Sequence, residues 1–261
     1  MKHGFSAVII ITILACNSQP ANSIGSGNDS SIVTGKAPAE ASVSGDCGNS
    51  LVFRKGAEIY TSNYDGQGKL TTKQVSTVTK VYEEGNMSVA EVEMKSPEEK
   101  NAGKKPMTAK YKCDGKQLYV DLSGFMPGAN SQSSKIETSG MLFPFKLSAG
   151  ETLPDATHSV SMELAGKAMK ITSHIKERKV EAKESITTPA GTFECYRISS
   201  VIETEMPGMD EKRRQIMEET KKRMGKNKMI IWYAPDVTII KMEFYMGERL
   251  ITRSEITAIK K

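Results

Sequence analysis

A single tight reversal between two apolar segments most constrains what this chain can fold into. Residues 188–192 read Thr-Pro-Ala-Gly-Thr. Pro189 presets one backbone angle, and Gly191 can adopt the positive φ that the second corner of a turn requires. Apolar side chains flank this turn at Ile186, Phe193, Tyr196, Ile198, Val201 and Ile202. The pattern predicts a β-hairpin over residues 183–201 that helps to seed a sheet.

Strand-like runs separated by turn signals continue through the rest of residues 47–261. Residues 107–113 alternate apolar and polar side chains, and the hairpin signal Asp114-Gly115 follows them. Strands joined by short turns, without β-helix-β alternation, indicate an antiparallel sheet. About ten such strands commonly close or half-close, which limits exposed edges. We therefore expect an all-β fold: an antiparallel, strongly curved sheet, or a half-open or closed β-barrel.

Residues 206–228 break the strand pattern. Asp210 can cap a helix, Glu211 suits its first turn, and Gly225 can end it. The side chains expected on one helical face are Met209, Ile216, Met217, Thr220 and Met224. The sequence predicts one peripheral amphipathic helix over 209–224. This helix either lies on the surface with a thin methionine stripe or serves as a lid or partner surface.

The first fifteen residues have the layout of an export signal. A basic start precedes an apolar run that is too short for a permanent membrane helix. Residues 13–16, Ile-Leu-Ala-Cys, resemble the bacterial lipobox, in which the cysteine is diacylated and becomes the new N-terminus. We expect residues 1–15 to be a lipoprotein signal peptide and Cys16 to be the lipidated residue. The alternative is an ordinary signal peptide with a chance cysteine.

A tether is expected between this anchor and the folded domain. Residues 16–46 are dominated by Ser, Gly, Asn, Ala and Pro, which offer little to bury, so we expect disorder there. Multiple acyl chains give stable membrane anchorage. Asn17, where an aspartate would favour inner-membrane retention, favours the outer membrane by resemblance to Gram-negative lipoprotein sorting. We expect an exported, envelope-anchored protein on the periplasmic or surface side, with a single β-rich domain over 47–261.

Three cysteines remain after Cys16. Export to an oxidising space favours a disulfide, and the sequence alone does not distinguish the three possible pairs. We favour Cys47 with Cys113, because each lies at a border between strand and loop. Cys195 would then be a free, buried thiol.

Composition and motifs favour a protein without catalytic chemistry. The formal charge of +5 is small, and lysines are interleaved with glutamates, so we expect no nucleic-acid partner. No nucleophile elbow, phosphate-binding loop, dinucleotide fingerprint or metal-ligand spacing is present. We expect no enzyme activity, no catalytic residues, no metal and no cofactor.

Two stretches carry a resemblance to a known family. Residues 188–198 resemble a hairpin motif, and residues 231–250 resemble a C-terminal motif, of the TapB-like family of exported bacterial domains, many of them lipoproteins. The turn at residues 65–69 is similar to one near that family's start. Asp236 and Thr238 depart from its small or glycine positions. The resemblance implies a β-rich envelope domain and supplies no catalytic residues.

Two functions follow from these expectations. The first is a non-enzymatic envelope lipoprotein whose sheet binds an apolar ligand, a glycan or a partner protein. The candidate ligand-lining side chains are Met162, Leu164, Ile171, Ile198 and Trp232, unless these simply fill the core. The second is a structural or assembly factor of the outer membrane that acts through its outer face and the 209–224 helix.

Overall fold

The computed structural model describes residues 45–96, 107–121, 135–164, 167–207 and 211–261. One compact unit, Glu40–Lys261, contains all of them. Two 3₁₀ turns, Gly45–Asn49 and Leu51–Phe53, come first. The strands are β1 (Glu58–Asp65), β2 (Leu70–Glu84), β3 (Met87–Lys95), β4 (Met107–Cys113), β5 (Gln117–Asp121), β6 (Lys135–Thr138), β7 (Met141–Pro144), β8 (Ala156–Leu164), β9 (Lys167–Thr188), β10 (Gly191–Glu205), β11 (Asn227–Ala234), β12 (Thr238–Met246) and β13 (Arg249–Lys260). A helix, α1 (Glu211–Met224), separates β10 from β11.

These strands form one antiparallel sheet of 13 strands. Their order is β6-β8-β9-β10-β11-β12-β13-β1-β2-β3-β4-β5-β7. The predicted hairpin joins β9 to β10, where Thr188 pairs with Gly191, and Gly191 has a φ of 133°. The prediction of an all-β, antiparallel fold is confirmed, and the described residues contain one α-helix. The first described element begins at Gly45, two residues before the predicted domain boundary.

The two ends of the strand order are close together along the chain. Only Ser139 and Gly140 separate β6 from β7. The Ser139 N–H donates to the Thr157 carbonyl of β8 at 2.8 Å. A Cβ on Gly140 would lie 3.3 Å from the Val120 carbonyl oxygen of β5. This short link therefore touches both terminal regions of the sheet, although the described strands β6 and β7 do not pair with each other.

One face of the sheet is apolar and fully covered. Side chains such as Ile231, Ile256 and Val78 are at most 2% exposed there, and burying each contributes about 1.5–3 kcal/mol. Contacts across this face join strands that are distant in the order. The Phe143 and Tyr233 rings lie 4.8 Å apart, and a side-chain hydrogen bond joins Tyr111 to Thr238.

A β-bulge places a charged side chain inside this apolar layer. Ser199 pairs with Lys179 and Val201 pairs with Lys176, so Glu177 and Arg178 both lie opposite Ser200. Glu177 adopts a φ of 53°, and the bulge shifts the alternation so that Arg178 points inward. Arg178 is 1% exposed and donates to the carbonyls of Leu142 and Pro154 at 2.9 and 2.8 Å. Burial lowers its pKa to about 10.

Candidate functional site

The opposite face of the central strands carries a continuous line of polar side chains. Cross-strand pairing places six residues side by side from β2 to β10, and we call them the polar row: Lys73, Ser62, Glu255, Lys241, Trp232 and Arg197. Neighbouring strands are about 4.8 Å apart, so the row spans roughly 24 Å. Cations, an anion, a hydroxyl and an indole thus lie along one line.

Local alternation explains why these residues share a face. Side chains of a strand point alternately to opposite sides, so Ile231 faces the core while Trp232 faces away. The pairing of Lys241 with Glu255 and of Glu255 with Ser62 then extends the same face across β12, β13 and β1. Despite lying opposite the core, Ser62 and Trp232 are only 5% and 7% exposed. The face is therefore closely packed by its own long side chains.

Trp232 is held on both its edge and its ring face. The indole Nε1–H donates to Glu184 Oε1 at 2.6 Å, and the Lys241 ammonium lies 4.4 Å from the ring centroid. Lys241 Nζ also lies 2.7 Å from Glu243 Oε1. The cation–π contact and the charged hydrogen bond help to set the orientation of the ring, which is also packed against buried apolar side chains.

A second line of side chains runs beside the polar row. Tyr245 donates its hydroxyl to Glu243 Oε2 at 2.6 Å, and Arg253 pairs with Glu243 in the register of β12 and β13. Arg253 also stacks on Tyr64, with 4.7 Å to the ring centroid. The hydrogen bond to Glu243, with burial as the next cause, raises the pKa of Tyr245 to about 12. Tyr245 is therefore a neutral donor at physiological pH.

Two buried donors on this face have no partner among the described residues. The Nε atoms of Arg197 and Arg253 are buried without a hydrogen bond in that part of the chain. An unpaired buried donor costs about 1–3 kcal/mol.

A half-open cavity of about 280 Å³ lies at the β2 end of the polar row. Its lining residues are Tyr60, Thr61, Ser62, Lys73, Gln74 and Thr257. Hydroxyl, amide and ammonium groups predominate among them. Nearby, Lys260 Nζ lies 2.6 Å from the Tyr60 hydroxyl, which donates to Glu58 Oε2 at 2.7 Å. The cavity is suited to a small polar group with several hydrogen-bonding atoms.

The structure separates those predicted ligand-lining residues whose side chains it describes. Ile198 pairs with Ile231, whereas Trp232 pairs with Arg197, so Ile198 and Trp232 lie on opposite faces of the sheet. Ile171 is nine positions along β9 from Val180, the partner of Ile198, which is roughly 30 Å. The side chains of Met162 and Leu164 lie outside the described residues. Periodicity predicted that these positions are apolar strand residues, but it missed the register that separates them.

The cysteines are arranged as the sequence favoured. Cys47 and Cys113 form a disulfide, and Cys195 is free and buried. Burial, assisted by nearby carboxylates, raises the pKa of the Cys195 thiol to about 12. Such a thiol is a packing group and a poor nucleophile. Cys16, the predicted lipidation site, lies outside the described residues, as do residues 1–15.

The sequence reasoning overlooked the polar row, although a signal for it was present. Residues 238–246 alternate Lys241, Glu243 and Tyr245 with apolar neighbours, which is the pattern of a strand with one polar face. Only the pairing shows that Arg197 and Lys73 belong to the same line. No cluster of three or more His, Cys, Asp or Glu side chains is arranged to hold a metal within the described ranges. None of the helices described there is long and apolar enough to cross a membrane.

Comparison with known proteins gives both a family and a fold. The DUF3108-like family matches residues 54–255. The crystal structure of a candidate exported protein with a YmcC-like fold from Bacteroides fragilis NCTC 9343 is similar, with a TM-score of 0.58 and 20% identity over 81% of this chain and 100% of that one. A candidate lipoprotein of Parabacteroides distasonis ATCC 8503 has a TM-score of 0.58 and 19% identity, over 80% of this chain and 97% of that one. No curated protein matches the chain in sequence.

Proposed function

The chain belongs to the DUF3108-like family, and we propose that it is a non-enzymatic lipoprotein of the cell envelope that binds a glycan on its polar row. One observation carries this proposal. The polar cavity of about 280 Å³ is lined by Ser62 and Lys73, which form one end of the row, together with Tyr60, Thr61, Gln74 and Thr257. Ligand sites are concave and contain a few convergent polar groups.

A glycan fits this face better than an apolar ligand does. The apolar face of the sheet is filled by the protein's own side chains, including Phe143 at 0% and Ile198 at 1% exposure. An apolar ligand would have to displace them. A glycan offers many hydroxyl donors and acceptors, which suit Lys73, Gln74 and Thr257 in the cavity and the charged groups beyond it. A row of roughly 24 Å would accommodate several sugar units of an extended chain.

Export and anchorage are supported by two independent observations. Residues 1–15 and Cys16 follow the lipoprotein signal pattern, and the similar structures are described as an exported protein and a lipoprotein candidate. We infer that Cys16 is acylated and that the anchor lies in the outer membrane. Within the family, residues 188–198 and 231–250 favour a TapB-like protein.

We further infer that the sheet curls into a half-open barrel with the apolar face inward. The link at Ser139 and Gly140 joins the two terminal regions of the sheet, and the Tyr111–Thr238 and Phe143–Tyr233 contacts cross its apolar side. Such closure limits exposed strand edges. The polar row would then lie on the outer surface, where a long polymer has access.

Calorimetry on the unit Glu40–Lys261 tests the glycan proposal. The probes are peptidoglycan fragments and oligosaccharides from lipopolysaccharide, first screened on an array. We expect Lys73→Ala and Gln74→Ala each to weaken binding about tenfold, because each removes hydrogen bonds worth about 1.5 kcal/mol. Since Trp232 is the chain's one tryptophan, a change in its emission would show that the ligand extends along the row.

The matched control is Lys55→Ala, which removes the same charge from an exposed residue outside the cavity. If neither class of probe binds, or if the control weakens binding as much as the cavity variants, the proposal is wrong. Capture of an envelope protein that competes at Lys73 would instead support the assembly-factor alternative.

A further inference from the structure

Helix α1 concentrates positive charge on the surface of the molecule. The helix contains six lysines and arginines against three glutamates, and Lys226 and Lys228 follow it, so residues 211–228 carry a formal charge of +5, which equals that of the whole chain. Elsewhere the charges therefore balance. A basic helix of this kind is typical of segments that lie on a membrane surface or bind an acidic partner.

The helix receives little support from the rest of the protein where it is described. Its described side chains are exposed, except for the half-buried Thr220. Ile216 is 51% exposed and is one of two large apolar side chains so exposed in the described structure. The side chains of Met217 and Met224 lie outside the described ones. A helix of 14 residues whose described side chains are almost all exposed gains little from packing there and is marginal in water. A second surface would stabilise it.

The charges at the two ends of α1 have opposite effects on the isolated helix: Lys222 and Arg223 suit its last turn, whereas the basic residues of its first turn oppose stability. Lys212 and Arg214 lie in the first turn, where the helix dipole is positive and cations are unfavourable. The exposed pair between Arg214 and Glu211, at 3.1 Å, offsets this only slightly. An external anionic surface would turn the unfavourable contribution of Lys212 and Arg214 into a favourable one, because both cations would then be paired with anions.

The C-terminus of α1 is nevertheless fixed to the sheet. Gly225 ends the helix with a φ of 83°, and a Cβ there would lie 3.2 Å from the Cα of Gly247. The Gly247 N–H donates to the Lys226 carbonyl at 2.9 Å, and Lys226 Nζ lies 3.0 Å from Glu177 Oε1. The helix is thus presented at a defined place at one end of β10 and β11.

We propose that α1 docks on an anionic lipid bilayer surface, with its lysines and arginines at the phosphate headgroups and Ile216 inserted between them. Basic residues near such a surface attract it electrostatically, and an apolar side chain adds burial. This inference does not depend on the glycan proposal, because the polar row and α1 share no residue.

Vesicle sedimentation with the unit Glu40–Lys261 tests the docking without interference from a lipid anchor. All described core side chains lie within this unit. The probes are vesicles of 30% phosphatidylglycerol in phosphatidylcholine, and vesicles of phosphatidylcholine alone. We expect binding to the anionic vesicles only, weakening as salt screens the charges.

The decisive variant is Lys212→Ala/Arg214→Ala/Lys222→Ala. Each basic residue near an anionic surface contributes about fivefold, so we expect about hundredfold weaker binding. The control, Lys55→Ala/Lys116→Ala/Lys146→Ala, removes the same charge from exposed residues away from the helix. It should lower binding by about threefold or less, because screening limits distant charges. Ile216→Ser should weaken binding about fivefold while leaving its salt dependence unchanged.

Equal losses in the two triple variants would overturn the proposal, as would equal binding to neutral vesicles. If the protein binds dextran sulfate but not vesicles, α1 binds a soluble polyanion instead of a membrane, and the proposal is also wrong.

Discussion

The Cys47–Cys113 cross-link permits the most quantitative prediction. The two cysteines are 66 residues apart in sequence. Closing a loop of that length in the unfolded chain removes entropy worth about 4 kcal/mol at 25 °C. In the folded protein, the Gly115 N–H donates to Cys47 Sγ and the Asp46 N–H donates to the Gly115 carbonyl. The native contacts therefore persist without the covalent bond, and the effect arises in the unfolded state.

The assay is urea unfolding of oxidised and reduced protein, followed by circular dichroism. Both cysteines are fully buried, so the protein is reduced while unfolded and then refolded in dithiothreitol. With a urea slope of about 2.5 kcal/mol per molar, the midpoint should fall by about 1.6 M on reduction. Reduced wild type keeps both sulfur atoms, so the comparison isolates the cross-link.

The control is the double variant Cys47→Ala/Cys113→Ala, whose midpoint should not change with dithiothreitol. A midpoint shift in the wild type below about 0.5 M would refute the loop-entropy reasoning. An equal response of the double variant would show that reduction acts elsewhere.

Three further predictions concern single side chains. Arg178→Ala should destabilise the fold by about 3–5 kcal/mol, because two charged hydrogen bonds to the Leu142 and Pro154 carbonyls are lost and a cavity remains; a urea midpoint within error of wild type would contradict this. Cys195, with its pKa near 12, should resist iodoacetamide at pH 8 in the folded protein and react in urea; modification of native protein at the rate of an exposed thiol would refute its burial. Tyr245 should ionise near pH 12, so its hydrogen bond to Glu243 stabilises the fold fully below about pH 10 and is lost as pH rises through 12. Difference absorbance at 295 nm, with Tyr245→Phe as the subtraction, measures this, and a transition at the ordinary tyrosine pKa would contradict it.

Local sequence patterns predicted the strands and the helix well where turn or capping residues clearly marked their ends. The turn around Pro189 and Gly191 lies between β9 and β10, and the alternation at residues 107–113 is β4. The basis is local: turn residues limit φ, and a strand has a side-chain period of two. The helix near residues 209–224 was also predictable, because Glu211 and Gly225 mark its ends.

The candidate site was harder to predict from the sequence, because it depends on which strands lie next to each other in the sheet. Lys73, Glu255 and Arg197 come from distant parts of the chain, and only the pairing of β2 through β10 lines them up. The interior position of Arg178 depends on a bulge opposite Ser200, for which the charged run around it contains no local signal.

The sequence by itself therefore determined the strand-rich character, the strongest turns and the helix, because each depends on neighbours within a few residues, and it favoured one of three possible cysteine pairs. Only the tertiary structure decided which side chains share a face. A shift of one residue in pairing moves a whole strand's side chains to the other side, and such shifts occur between Trp232 and Tyr233 and beside Arg178. Ile198 pairs with Ile231 and fills the core, whereas Trp232, the next residue of β11, points to the opposite face and belongs to the polar row.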